Sequence, residues 1–336
     1  MRTIRIVAIA DVGLDRPWLP LAPAAGARRR ESSRHALVRA IGLGREQQAS
    51  ALVIVGGLFD RATVTLPTLE FAARAFAAFP GPVLIAPGAL DWHTETSPYA
   101  TTNWFDNTHL WHDAQYRPGV TVDGDTIAGS AWTGSSLGGE PPLSSSADEE
   151  RVLYVRAGLA PRARPVVCST AADADDERVV AVGALTPAVG AGGATVTVID
   201  WSNGSLRSTQ LMIDDEPGET RPVDVATVNG TDELLARLSS TVDSVPPWSV
   251  IALHGRLPSG VLLPSIAGFT TDREDVLIDE TAVEFALAPP ANADHSAMTE
   301  FRRGMRDSDA DERTLHQATA LGLRALAEVA PDGEPI

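Results

Sequence analysis

One stretch restricts the fold more than any other: residues 51–93, ALVIVGGLFDRATVTLPTLEFAARAFAAFPGPVLIAPGALDWH. An apolar run at 51–55 ends in Gly56-Gly57, and another at 83–86 ends in Pro87-Gly88. Apolar runs of this length, bounded by Gly and Pro, suit strands covered on both faces. The segment between them starts a helix near Pro67, and a helix joining two such strands makes a β-α-β unit. Ligands of such units gather where the strands end. Residues 4–10 form a first strand that ends the same way, in Asp11-Val12-Gly13-Leu14-Asp15. Three loops therefore converge on one place, and the side chains they carry decide the function.

The rest of the chain is long enough to frame that unit. Its 336 residues, 44% hydrophobic, suffice for a large α/β domain and a smaller one. No apolar run approaches the roughly 20 residues of a membrane span, so no membrane partner is expected. The N-terminus enters a core strand at once, which leaves no room for a signal peptide. Cys168 is the only cysteine, which excludes intramolecular disulfides and cysteine-cluster metal sites and reads as an inert buried thiol. These features together place the expected site of action in the cytoplasm. All 27 basic residues are arginine, and the net charge of −17 opposes nucleic-acid binding by bulk electrostatics. A local patch remains open: Arg28, Arg29 and Arg30, with Arg34, are the densest cluster and the candidate DNA contacts. Arg156, Arg162 and Arg164 form a second. As solvated loop charges, both clusters would have no ligand.

Read in order, a Pro- and Ala-rich loop covers residues 16–30, and Ser32 or Ser33 caps a helix over 34–48. Residues 94–118 are polar and aromatic and read as a loop with at most one short helix. Residues 120–122 and 126–131 pair around Asp123-Gly124-Asp125, a hairpin signal. Residues 134–150 read as a surface loop rich in Gly, Ser, Pro and acids. Apolar runs at 152–155, 166–168 and 179–182, then strands at 195–201 and 206–213, form a meander that closes the first domain. The acidic segment 214–219 marks the boundary. Beyond it lie a helix over 232–240 and strands at 248–253 and 276–278, then a linker at 289–294 and two helical stretches, near 297–306 and 312–329.

Five segments taken together resemble the calcineurin-like metallophosphoesterases, most closely the SbcD-type nuclease subunit of bacterial double-strand-break repair complexes. They are Asp11-Val12-Gly13, Gly56-Gly57-Leu58-Phe59-Asp60, Pro87-Gly88-Ala89-Leu90-Asp91, Val155-Arg156-Ala157-Gly158 and Gly183-Ala184-Leu185-Thr186. The family shows Asp-x-His, Gly-Asp-Leu-Phe-Asp, Pro-Gly-Asn-His-Asp, His-Gly and Gly-His-x-His in that order. The resemblance implies an α/β fold: a metallophosphoesterase-type β-sandwich flanked by helices over residues 1–220. It also implies a small α+β capping domain over 221–290 and a C-terminal helical tail over 291–336.

The family's chemistry does not carry over. It holds two divalent cations, which activate water and clamp phosphoryl oxygens. Here Gly13 stands for the first histidine, Gly57 for the bridging aspartate, Ala89 for the asparagine and Leu90 for the catalytic histidine. Ala157, Ala184 and Thr186 stand for the later histidines. Asp11 alone remains of the metal set, and one carboxylate cannot neutralise two adjacent dications. These positions therefore imply no catalytic residues and no cofactor.

Residual candidates for a metal are Asp11, Asp91 and His93, with Asp60 nearby; a divergent phosphodiesterase or nuclease rewired around a single Mn²⁺ is the competing reading. As plain structure, Asp11, Asp60 and Asp91 each follow a buried strand, where a carboxylate accepts N–H groups of its own turn. His93, His109, His112 and His254 then have no task. The favoured reading is a non-catalytic SbcD-like subunit, a homodimer that acts as scaffold and meets DNA through its complex. Its implied partner is an SMC-like ATPase, docked on the terminal helices by Met298, Phe301, Met305, Leu315 and Leu326. Those side chains could equally pack on their own domain.

Overall fold

The structure, a computed structural model, describes residues 3–19, 21–122, 124–133, 152–159, 166–170, 179–202, 205–213, 217–258, 261, 263, 273–285, 301, 303–305, 318 and 322. The chain divides into two compact units: Met1–Glu219 with Pro246–Trp248, and Thr220–Val245 with Ser249–Ile336.

In the first unit the chain runs β1 (Ile4–Ile9), α1 (Pro23–Glu46), β2 (Ala51–Val55), α2 (Leu66–Ala77), β3 (Val83–Ala86), α3 (Pro98–Thr101) and β4 (Thr108–Leu110). There follow β5 (Arg117–Val122), β6 (Asp125–Gly129), β7 (Val152–Leu159), β8 (Val166–Thr170), β9 (Val179–Ala181), β10 (Thr195–Ser202) and β11 (Ser205–Met212). Six strands form one sheet in the order β11-β10-β1-β2-β3-β4, and five form another in the order β5-β6-β7-β8-β9. Strands β1 to β4 are mutually parallel, so β1, β2 and β3 end at the same edge.

Two apolar clusters explain why these strands read as unbroken hydrophobic runs. Val7, Ile9, Leu52, Ile54, Val83 and Ile85 face one way and pack with Leu37 and Ile41 of α1 and Leu69 and Phe76 of α2. Their neighbours Ile6, Ala8, Val53, Val55 and Leu84 face the other way, onto Ile127, Leu153, Val155, Val167 and Val180 of the second sheet. The six-stranded sheet is thus covered by helices on one side and by strands on the other. Each fully buried Val, Leu or Ile contributes about 1.5–3 kcal/mol, which fixes the register against a one-residue slip.

In the first unit the structure departs from the sequence reading in four places. Helix α1 starts at Pro23, so Arg28 to Arg30 lie on a helix and not in a loop. Proline is favoured in the first helical turn, and the alanines after it are strong helix formers. Ser32 and Ser33 cap nothing: their hydroxyls donate back to the carbonyls of Arg28 and Arg29, both 3.1 Å away. The segment 94–118 holds, besides α3, the short strand β4, which pairs parallel to β3 at the sheet edge. Strands β6 to β9 pair in parallel and so form no meander.

The second unit contains β12 (Thr220–Asp224), α4 (Thr231–Ser244), β13 (Val250–Leu257) and β14 (Leu277–Phe285). Its three strands are parallel, in the order β12-β13-β14. The expected α+β unit is therefore a β-α-β crossover with one further parallel strand. Leu234, Leu238 and Val242 of α4 pack on Val223, Ile251 and Leu253. Phe301 and Met305 are helical, and the Phe301 ring lies against Gly322; Met298, Leu315 and Leu326 lie outside the described residues. Among the described residues, no helix is long and apolar enough to cross a membrane.

Candidate functional site

The loops after β1 and β2 continue the ladder of their strands. Asp11 N–H donates to the Gly56 carbonyl (3.0 Å), Gly13 to Gly57 (2.9 Å) and Leu14 to Leu58 (3.0 Å). Reversing direction so soon after a strand needs left-handed backbone, found at Asp11 (φ 47°), Gly13 (63°), Gly56 (75°) and Gly57 (66°). The turn after β9 joins from the other sheet. Leu185 and Thr186 donate N–H groups to the carbonyls of Ala10 (2.7 Å) and Asp11 (3.0 Å), and the Thr186 hydroxyl donates to that of Val12 (2.9 Å). Trp132 N–H reaches the Pro87 carbonyl at 3.0 Å, and its indole N–H reaches that of Ala157 at 2.8 Å.

Asp91 sits at the centre of this assembly and is fully buried. Its Oδ1 accepts the N–H groups of Gly57 (3.0 Å) and Gly88 (2.7 Å). Its Oδ2 accepts the Leu58 N–H (2.8 Å) and the Tyr99 hydroxyl (2.7 Å). A carboxylate offers about four lone-pair directions, and all four are taken. Burial pushes the Asp91 carboxyl up, against the four donors that favour its charge. Burial also raises Asp11, which Arg16 opposes and the Asp91 charge reinforces. The Tyr99 hydroxyl, buried beside Asp91, is held well above the ordinary phenol range.

Small residues close what space remains. A Cβ on Gly56 would stand 2.7 Å from Ala157 Cβ and 3.1 Å from Gly88 Cα. A Cβ on Gly57 would overlap Asp11 Oδ1 and stand 2.9 Å from Asp11 Cα. Gly13, Gly57, Ala157 and Thr186 are buried, Ala184 is half-buried, and Ala89 and Leu90 are exposed.

The remaining candidates disperse. Asp60 Oδ1 accepts the Ala62 N–H (2.9 Å), a turn of its own loop. His93 is half-buried beside His112, with ring centroids 5.9 Å apart; burial and then the His112 charge push it below its usual range. His109, His112 and His254 are exposed. Arg28 is exposed and Arg30 half-buried, whereas Arg29 turns inward: it is 4% exposed and donates to the Pro187 carbonyl at 2.8 Å. Its guanidinium lies 5.3 Å from the Trp18 ring. Arg29 is therefore packed inward from helix α1 and not presented to solvent.

Two features escaped the sequence reading. Tyr99 lies in the aromatic segment 94–118, and Ser97-Pro98 before it was the one visible helix-start signal. The second is a network on Asp15, whose oxygens accept Arg34 Nη2 (3.2 Å), Thr65 N–H (3.0 Å) and the Thr65 hydroxyl (2.8 Å). Burial alone would raise the Asp15 carboxyl, but Thr68, Thr65 and Arg34 together hold it below its usual range. The folded-state value then lies below the unfolded one of about 3.9. Ionised Asp15 therefore stabilises the fold above that pH, and the stabilisation is lost as pH falls through the folded value. Asp15→Asn is expected to flatten the acid limb of stability below about pH 4. Urea unfolding across that range checks this; a constant gap between parent and variant would deny Asp15 a titrating role.

All four lone-pair directions of Asp91 are used within the protein, and a Cβ on Gly57 would meet Asp11. Among the described residues, no three His, Cys, Asp or Glu side chains come together in a group that could hold a metal ion. Compared with protein-family models and with curated proteins, the chain matches no family model and no curated protein.

Proposed function

We propose that this chain is a non-catalytic subunit of metallophosphoesterase type, similar to SbcD, which serves as scaffold for an SMC-like ATPase in DNA repair, chromosome maintenance or defence. One observation carries the non-catalytic part: the Asp91 carboxylate spends both oxygens on the amides of Gly57, Leu58 and Gly88 and on Tyr99. The loops that a metal pair would join are joined by hydrogen bonds of the protein itself. On this reading the chain works in the cytoplasm as a homodimer and meets DNA through its complex. Its C-terminal helical residues, Phe301 and Met305 among them, take the ATPase.

The test is metal content and nuclease activity on protein purified without chelator and assayed with Mn²⁺ on linear DNA. The expected result is no stoichiometric metal and no cleavage. Stoichiometric metal, with cleavage lost in Asp11→Ala, would overturn the reading in favour of a rewired single-metal enzyme.

A further inference from the structure

Three charged side chains among the described residues are more than nine-tenths buried: Arg29, Asp91 and Arg156. Asp91 has four donors, and Arg29 has a carbonyl and an aromatic face. Arg156 differs. It is 6% exposed, its Nε and Nη1 are buried without a hydrogen-bond partner, and no carboxylate pairs with it among the described residues. A buried charge left without a counter-charge is strongly unfavourable.

Arg156 lies on β7, where Leu153 and Val155 face the sandwich core. Val152 and Tyr154 point to the opposite face of the sheet, into a cluster with Tyr116, Ala128, Val166 and Cys168. Strand alternation puts Arg156 on that second face, opposite Cys168 in register. Tyr116 and Ser130, 6% and 3% exposed, flank β5 and β6 and are its neighbours there. The Tyr116 hydroxyl, buried too, has no partner at full hydrogen-bond geometry, although Arg156 and Ser130 lie close enough to act on its oxygen. Burial pushes it up to about 12, with Arg156 and Ser130 opposing, so at neutral pH it keeps its proton and is a donor.

We infer that Arg156, Tyr116 and Ser130 form a binding site for a phosphate group, on the face of the five-stranded sheet opposite the sandwich core. The two unfilled guanidinium donors and the tyrosine hydroxyl exceed what one carbonyl or hydroxyl can accept. They suit an anion with several acceptor oxygens, and the planar guanidinium is the side chain best matched to phosphate. The site shares no residue with the loops around Asp91 and does not depend on whether those loops bind metal.

Calorimetric titration of the full chain with inorganic phosphate, against sodium chloride at matched ionic strength, tests the site; the matched salt cancels general screening of the −17 charge. Saturable binding is expected, at least tenfold weaker in Arg156→Met and partly retained in Arg156→Lys, which keeps the charge but loses the planar fork. Should Arg156→Met fail to fold, Tyr116→Phe keeps the ring, whose edge-on contact with Tyr154 has centroids 5.0 Å apart, and is expected to bind severalfold more weakly. No saturable heat in the parent, as when an acidic side chain of the chain itself neutralises Arg156, would overturn the inference. So would equal affinity in parent and variants.

Discussion

Asp91→Ala is expected to lower the thermal unfolding midpoint by roughly 10–20 °C, the largest effect of any single polar substitution in the first unit. The reason is the geometry of one carboxylate. Removing it strands the amides of Gly57, Leu58 and Gly88 and the Tyr99 hydroxyl. Each buried group so stranded costs about 1–3 kcal/mol, and water entering the cavity recovers part of that. A net loss of about 4–6 kcal/mol remains, and each kcal/mol shifts the midpoint of a domain this size by about 2–4 °C. Asp91→Asn should be intermediate, since its amide group turns a donor toward donors. Tyr99→Phe, which removes one bond to a charged group, should cost about 2 kcal/mol. Scanning calorimetry checks the series; a midpoint for Asp91→Ala within a few degrees of the parent would remove Asp91 as the link between the loops.

Gly57→Asp, which restores the carboxylate that the resemblance implies at that position, is expected to destabilise the protein by about 3–5 kcal/mol without conferring Mn²⁺ binding. At φ 66° a side chain adds left-handed strain of about 1–2 kcal/mol. The new Cβ overlaps Asp11 Oδ1 and stands 2.9 Å from Asp11 Cα, backbone that cannot rotate aside, and overpacking of this kind costs about 1–3 kcal/mol. The added charge beside Asp11 raises the total. Urea unfolding and Mn²⁺ calorimetry on the same sample decide the matter. Parental stability together with stoichiometric Mn²⁺ would mean that the loops open readily, and close packing would no longer explain the site.

The two predictions rest on different levels of information. The turn residues were visible in the chain: Gly56-Gly57 and Pro87-Gly88 after apolar runs announced where the strands stop and the loops meet. That Asp91 accepts backbone N–H groups was also a sequence expectation, but only for those of its own turn. Two of its three amides belong to the neighbouring loop, 33 and 34 residues away, and local pattern cannot reveal a bond across strands. Tyr99 was hidden because α3 is a single turn in a polar segment, too short for periodicity. Helix α1 begins well before the start that its pattern suggests, because the Pro- and Ala-rich stretch carries little apolar periodicity. For the same reason a buried arginine, Arg29, looked like a solvated one.

By itself the sequence determined the strands that cross the core, their helix between, and the convergence of three loops, because burial on both faces and Gly/Pro punctuation are local properties. The resemblance to the metallophosphoesterases, likewise read from sequence, implies that most of that family's ligands are replaced here by Gly, Ala, Leu and Thr. Only the tertiary structure decided what the loops do instead. Parallel pairing of β1 with β2 and of β2 with β3 brings distant amides within reach of one carboxylate, and burial of that carboxylate makes each of its bonds count. Strand alternation on β7 put Arg156 on the far face of the second sheet, where it is buried with two donors unfilled.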